Sequence, residues 1–200
     1  MRRFIPQAAR PIIETIRADR RRYQVRSGVS RRRALLMQHR SPEFHALLAY
    51  RLVQLGAAWS GPVGSFILLV GKAGQRWAWL AHHIYLDPQA KIGKGLYLMH
   101  AFGLIVGPVE MGDNCVVHHN VTIGERYSKG DHGVPRIGER VWFGPGATIA
   151  GDISIGDGAT ISANAMLTRS VPARCLAAGN PARVVQADYE NGPMLGAIAE

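Results

Sequence analysis

The feature that most constrains this chain is a repeat of six residues that runs from Leu86 to Pro172. Each block opens with an aliphatic residue, except where Phe143 takes that place, and glycine often stands second. The repeat carries one extra residue near Val109 and is interrupted once, between residues 124 and 136. The blocks read LDPQAK, IGKGLY, LMHAFG, LIVGPVE, MGDNCV, VHHNVT and IGERYS, then IGERVW, FGPGAT, IAGDIS, IGDGAT, ISANAM and LTRSVP.

A period of six matches neither an α-helix, which repeats about every 3.6 residues, nor a plain strand, whose side chains alternate with a period of about two residues. It is typical of a β-solenoid, in which each block forms a short strand and a turn, and stacked coils bury a continuous column of side chains. The first and fifth residues of each block are therefore predicted to face inward. The predicted fifth residues are Leu96, Phe102, Cys115, Val121, Val141, Ala147, Ile153, Ala159, Ala165 and Val171.

The sequence before the repeat has a different, helical pattern. Ser41, Pro42 and Glu43 are typical of a helix start, and apolar residues then recur at helical spacing. We expect four parts: a basic, partly helical arm over 1–40, a helical segment over 41–85, the solenoid over 86–185, and a C-terminal tail over 186–200.

The stretch 61–85 is the most hydrophobic part of the chain, but Lys72, Gln75 and Arg76 interrupt it. It falls short of the roughly 20 apolar residues that span a bilayer. The stretch is compatible with a buried helix pair or with a helix on a membrane surface. The first thirty residues contain no apolar core of a secretory signal.

The positive charge is concentrated at the N-terminus. Residues 1–40 hold twelve arginines against Glu14 and Asp19, which accounts for the whole formal charge of +10. Such an arm suits an anionic lipid surface, a nucleic acid or an acidic polymer, or is simply solvated. Nucleic acid is disfavoured because interleaved aromatic residues and a recognised binding module are missing. The two distant cysteines, Cys115 and Cys175, favour a reducing, cytoplasmic location.

One histidine lies in an otherwise apolar block, and the repeat predicts where it points. Three blocks make one coil, so blocks three apart stack about 4.8 Å from one another. His100 is the third residue of its block, and the third residues stacked with it are His119, Pro145 and Ala163. Because third residues face outward, the sequence predicts a column of these four side chains on the surface, with His100 at one end.

The repeats resemble the left-handed parallel β-helix of hexapeptide acyltransferases. "LYLMHAFGLIVG" and "NVTIG" resemble the serine O-acetyltransferase branch, which includes relatives that acetylate exopolysaccharides, and "AAGNPARVV" resembles the family's exit from the helix. The resemblance covers residues 86–185. It implies a homotrimer in which acetyl-coenzyme A lies along a groove between subunits. It also implies that Gly144, Pro145 and Ala163 line this groove, although Pro145 has no N–H to donate.

The chemistry needed for acyl transfer fits a histidine at this place. A neutral imidazole accepts the proton of a substrate hydroxyl as the oxygen attacks the thioester, then returns a proton to the leaving thiolate. His100 is therefore predicted to be the general base, with His119 beside it. Arg169 and Arg183 are candidates for the phosphates of coenzyme A, or are solvated surface charges.

The interruption of the repeat is a second candidate region, because long loops on regular scaffolds often carry function. In the serine branch an equivalent loop brings a histidine to the site, where an ungapped alignment places Val134 in this chain. His132, two residues earlier, is the candidate that replaces it, and Asp87 and Asp131 are the candidates to orient His100. A metal site is not expected, because the adjacent His118 and His119 point in different directions and no ligand cluster completes a shell.

Two further departures bear on the acceptor. The resemblance places aspartates where this chain has Tyr85 and Met99. Since such acids would meet the ammonium group of an amino acid, we expect an acetyl-coenzyme A-dependent O-acetyltransferase that acts on a sugar, in exopolysaccharide or capsule biosynthesis, at the inner face of the membrane. The alternatives are serine O-acetyltransferase and a non-catalytic β-helix scaffold.

Overall fold

A computed structural model describes residues 5–24, 41–126 and 133–196 of the protein. Its helical elements are a 3-10 turn (Gln7–Ala9), α1 (Arg10–Gln24), α2 (Pro42–Ala57), α3 (Gly61–His82) and α4 (Gly192–Leu195). The strands are β1 (Tyr85–Leu86), β2 (Lys91–Ile92), β3 (Tyr97–Met99), β4 (Ile105–Val106), β5 (Glu110–Met111), β6 (Val116–His118), β7 (Thr122–Gly124), β8 (Arg136–Ile137), β9 (Trp142–Phe143), β10 (Thr148–Ala150), β11 (Ser154–Ile155), β12 (Thr160–Ile161), β13 (Met166–Leu167), β14 (Leu176–Gly179) and β15 (Ala182–Gln186).

From β1 to β13, parallel pairs join strands three places apart along the chain, which confirms that three blocks make one coil. The first sheet has the order β1-β4-β7-β10-β13, and the second the order β2-β5-β8-β11. The third runs β3-β6-β9-β12-β14 and ends with β15, which pairs antiparallel with β14. The predicted left-handed β-helix with preceding helices is confirmed.

The inside of the β-helix holds the residues that the repeat placed there, with one exception. The first residues of the blocks are buried, and so are all the predicted fifth residues except Phe102. Phe102 is 53% exposed and its ring lies 5.5 Å from that of His83. The prediction for Phe102 is wrong because this coil holds two extra residues: Leu98 pairs with Val117 but Ile105 pairs with Thr122, so the buried Leu104 takes the inward fifth place.

Two of the helices form a close pair. A Cβ atom added to Gly71 would lie 2.6 Å from the backbone nitrogen of Val53, and one added to Gly74 would lie 2.7 Å from Cβ of Ala49. Helices α2 and α3 therefore approach each other through positions that tolerate no larger side chain. The Gln75 side chain donates to the carbonyl of Leu86 at 2.9 Å, which attaches α3 to the first coil.

A buried ion pair fixes the helices to the β-helix. Arg51 Nε donates to Asp19 Oδ2 at 2.9 Å, and both side chains are 2% exposed. Arg51 also donates to the carbonyls of Ile92 (2.7 Å) and Gly93 (2.6 Å), and the other oxygen of Asp19 accepts from the N–H of Gly95 at 2.6 Å. One pair thus joins α1, α2 and the turn between β2 and β3.

Part of the basic N-terminal region is structural. The guanidinium of Arg22 is buried and donates to the carbonyl of Asn114 at 3.2 Å and to that of Leu195 at 3.0 Å. The hydroxyl of Tyr23 accepts from the N–H of Leu98 at 2.8 Å. These contacts seat α1 against the third sheet and α4, so Arg22 serves the fold rather than an external anion.

Candidate active site

His100 lies at the corner that follows β3, and its side chain is exposed. The prediction that it lies outside the core is confirmed. Its φ of 52° puts a non-glycine residue in the left-handed region, which side chains with a Cβ seldom adopt. In neighbouring blocks the left-handed turn falls at the fourth residue, as at Asn114 and Asn120. The block of His100 also has Gly103 at φ 64°, against Asn120, so His100 adds a second left-handed residue to this corner. Local backbone strain of this kind is common at functional sites.

The stacked column is present from His119 downward, but the predicted stacking of His100 on His119 is wrong. Strand pairing places Leu98 beside Val117 and Ile105 beside Thr122, so the corner at His100 holds two extra residues. The N–H of Asn120 accordingly donates to the carbonyl of Phe102 at 2.8 Å, which puts Phe102 in line with His119 and leaves His100 on the extra turn. Pairing of Val117 with Phe143, and of Phe143 with Ile161, continues the column to Pro145 and Ala163. The carbonyl of His119 accepts from the N–H of Gly146 at 3.0 Å, and that of Pro145 from Asn164 at 2.8 Å.

His118 is a neighbour of this column that the sequence prediction left without a role. Its ring lies 4.9 Å from that of Trp142 in an edge-on arrangement and 6.3 Å from that of His119. Its Nε2 atom is buried and has no hydrogen-bond partner in the described part of the chain. Burial, and then the nearby His119 and His100, lower the pKa of His118 to about 4. The imidazole is therefore neutral at physiological pH.

The lowered pKa of His118 predicts a pH-dependent stability. Between its ordinary pKa of 6.5 and about 4, the unfolded chain binds a proton that the folded chain does not. The free energy of unfolding is therefore complete above pH 6.5 and falls as the pH drops toward 4. In urea unfolding at about pH 7 and about pH 4.5, we expect the wild type to lose about 1 kcal/mol more than His118→Leu, a value discounted for partial exposure. Equal losses in the two proteins would contradict the assignment.

The residues predicted to bind the cofactor lie at one edge and one end of the β-helix. Gly144 is buried, and a Cβ atom there would lie 2.6 Å from the nitrogen of Ala163 and 2.9 Å from the ring of Trp142. The N–H of Gly144 donates to Ile161 at 2.8 Å, so this residue offers space rather than a hydrogen bond. Ala163 is exposed and Pro145 half-buried. Their roles toward a cofactor stay predictions.

The arginine candidates lie on the surface. Arg169 and Arg183 are both exposed, and Arg183 donates to the carbonyl of its neighbour Ala182 at 2.8 Å. Their proposed contacts with phosphates stay predictions. His132 and Asp131 lie outside the described residues, so their predicted roles also stay open, whereas Val134 is half-buried beside the interruption.

A carboxylate lies next to the position where the resemblance expects one. The Tyr85 hydroxyl donates to Asp87 Oδ2 at 3.2 Å, and Asp87 Oδ1 accepts from the N–H of Gln89 at 2.8 Å. The change from aspartate to Tyr85 therefore does not remove acidic character from this edge of the first sheet. Within residues 5–24, 41–126 and 133–196, no three His, Cys, Asp or Glu residues are grouped to hold a metal ion.

A β-solenoid of six-residue repeats with an exposed histidine at one corner is typical of hexapeptide acyltransferases. The comparison with known proteins agrees with this class. The profile described as bacterial transferase hexapeptide (six repeats) matches residues 135–169. Serine acetyltransferase of Helicobacter pylori (strain ATCC 700392 / 26695) is 32% identical over 148 residues, which cover 74% of this chain and 83% of the relative. Serine acetyltransferase of Escherichia coli K12 is 37% identical over 143 residues, which cover 71% and 50%.

Solved structures agree with the sequence relatives. Serine acetyltransferase from Vibrio cholerae O1 biovar El Tor N16961 matches with a TM-score of 0.75 and 28% identity, over 92% of this chain and 69% of that one. The enzyme from Brucella abortus S19 in complex with coenzyme A gives 0.72 and 29%, over 92% and 71%. The Neisseria gonorrhoeae enzyme in complex with serine gives 0.68 and 26%, over 88% and 69%.

The chain belongs to the serine acetyltransferase family. It spans about half the length of the Schizosaccharomyces pombe and Escherichia coli relatives.

The expectation of a sugar acceptor in exopolysaccharide or capsule biosynthesis is wrong. The relatives and structural neighbours reported above are serine acetyltransferases by name. The expectation gave too much weight to the missing aspartates at positions 85 and 99. The residue type at position 85 does not by itself determine the charge there, because the Tyr85 hydroxyl contacts the carboxylate of Asp87.

Proposed function

We propose that the protein transfers the acetyl group of acetyl-coenzyme A to the hydroxyl of serine, with His100 as the general base. The observation that carries this proposal is the exposed imidazole on the extra turn next to the His119–Pro145–Ala163 column, in a chain of the serine acetyltransferase family. Structural neighbours in complex with coenzyme A and with serine support the two substrates.

The role of each group follows from the bonds that change. His100 accepts the proton of the serine hydroxyl while the oxygen forms a bond to the thioester carbon. When the carbon–sulfur bond breaks, the protonated imidazole returns its proton to the thiolate, and the base is restored. His118, which is uncharged at neutral pH, leaves His100 without a permanent positive neighbour on this side.

The open side of this column supports a proposal about the subunit arrangement. The column lies on an outer corner and is walled on one side, by the ring of Trp142 over Gly144. We propose a homotrimer in which a neighbouring subunit supplies the other wall. Acceptor binding then requires assembly, because a single chain leaves His100 open to water.

The acceptor is tested by the release of free coenzyme A from acetyl-coenzyme A, measured with serine, threonine, simple sugars and nucleotide sugars. We expect release that saturates with serine and stays at the background rate with the sugars. A protein that turns over sugars and not serine would overturn the proposed function. Light scattering of the same sample measures the mass of the assembly, and a monomer with full activity would exclude the proposed shared site.

A further inference from the structure

Helix α3 exposes an apolar face that the proposed reaction does not use. Phe66, Leu69 and Leu80 are 68%, 66% and 62% exposed. Large apolar side chains recur along one side of the helix at intervals of three and four residues. This apolar face consists of Val63, Phe66, Leu69, Val70, Trp77 and Leu80.

The apolar face is not the side of α3 that packs against the protein body. The opposite side of α3 holds the buried residues Gly64, Gly71 and Ala78, which lie close to α2. Because the glycines bring the two backbones together, α3 is already held against the protein body. The exposed side chains are therefore free to meet something outside the described part of the chain. A contiguous exposed patch of this kind commonly marks an interaction surface.

The charged side chains of α3 itself, Lys72 and Arg76, are both positive. Lys72 follows Leu69 by three residues and Arg76 precedes Leu80 by four, so both exposed cations flank the face. Residues 61–86 contain no aspartate or glutamate. A pocket of about 450 Å³ opens beside the face, lined by Lys72, Gln75, Arg76, Trp79, Tyr85 and Ile105. This pocket combines cations with aromatic rings.

We propose that α3 lies on an anionic membrane surface, with its apolar face inserted among the lipids and with Lys72 and Arg76 toward the phosphates. Interfacial helices combine one apolar side rich in Trp, Phe and Leu with flanking Lys or Arg, and anionic lipid strengthens their binding. Trp77 and Trp79 suit the boundary between headgroups and acyl chains. No helix within the described ranges is long and apolar enough to cross a membrane, so the contact is peripheral.

A second copy of the chain fits the same face less well. The spacing of the apolar residues suits a partner helix. Pairing two copies of α3 would, however, bring Lys72 and Arg76 of both copies to one seam, and the helix has no acidic residue to offset them. An anionic lipid surface complements these charges.

Vesicle binding of the full chain tests the proposal independently of acetyl transfer. We expect co-flotation with phosphatidylcholine vesicles that contain about 30% phosphatidylglycerol, and weak co-flotation with phosphatidylcholine alone. Leu69→Asp should lower the partition coefficient about tenfold, because it removes one inserted side chain and adds a repelled charge. Val185→Asp is the matched control: Val185 is 60% exposed on β15, far from this helix in sequence, and the same change there should leave partition unaltered.

The alternatives give different results. If Leu69→Asp binds the anionic vesicles as well as the wild type, the arginines of the first 40 residues suffice, and the proposal is overturned. If Leu69→Asp instead changes the mass of the assembly in lipid-free light scattering, and the wild type does not float with vesicles, a second copy covers the face. Serine-dependent release of coenzyme A in solution should be the same for Leu69→Asp and the wild type.

Discussion

Replacement of His100 by alanine is expected to lower kcat for acetyl transfer to serine by about 10²–10⁴-fold, the usual contribution of a general base. His100 is exposed at a corner, and the neighbouring Ala101 fills the core, so the variant should keep its fold and its assembly state. The measurement is steady-state release of coenzyme A, together with circular dichroism and light scattering of the same sample.

The matched control is His45→Ala. His45 is half-buried on α2, where its ring lies 6.3 Å from that of Trp77. We expect its kcat to match that of the wild type. Full activity of a well-folded His100→Ala protein would remove the proposed base. A loss of the same size in both variants would show that the effect comes from the fold and not from proton transfer.

Removal of one partner of the buried ion pair is expected to cause the largest loss of stability. Burial raises the pKa of Asp19, and the nearby Arg51 offsets this only in part. In Arg51→Met the carboxyl group stays buried with the N–H of Gly95 but without its counter-charge. We therefore expect the free energy of unfolding in urea to fall by about 3–5 kcal/mol.

Two further variants separate this effect from ordinary packing. The double variant Asp19→Leu, Arg51→Met removes both charges, and it should be more stable than Arg51→Met alone. Lys91 and Glu110 form an exposed pair at 2.8 Å, and Lys91→Ala should cost far less stability than Arg51→Met, because solvent screens the pair. If Arg51→Met is no less stable than Lys91→Ala, α1 and α2 are held by other contacts.

The solenoid could be predicted from sequence because its rule is local and repeated. Every coil needs apolar residues at the same two places. The repeat therefore stays recognisable even where a single block departs from the pattern. The column from His119 to Ala163 followed from the same arithmetic. His100 and Phe102 depart from it because their coil holds two extra residues, which gives the inward fifth place to Leu104. The extra residues are not visible in the repeat, because the block of His100 still has six residues in the sequence.

The contacts outside the repeat could not be predicted in the same way. The pairing of Asp19 with Arg51 joins two helices distant in sequence, and no periodicity connects them. His118 gains its low pKa from burial beside Trp142 and two other histidines, which depends on side-chain packing. The acceptor was predicted wrongly because the prediction considered only which residue types occupy positions 85 and 99. In the folded protein the carboxylate of Asp87 lies next to the Tyr85 hydroxyl.

The most direct test of the account is a crystal structure of the protein with coenzyme A and serine. We expect the pantetheine arm to run along the column of His119, Pro145 and Ala163. Its sulfur should lie beside His100, with the serine hydroxyl within about 3 Å of the imidazole. A coenzyme A molecule bound away from this column, or a serine hydroxyl beyond the reach of His100, would contradict it.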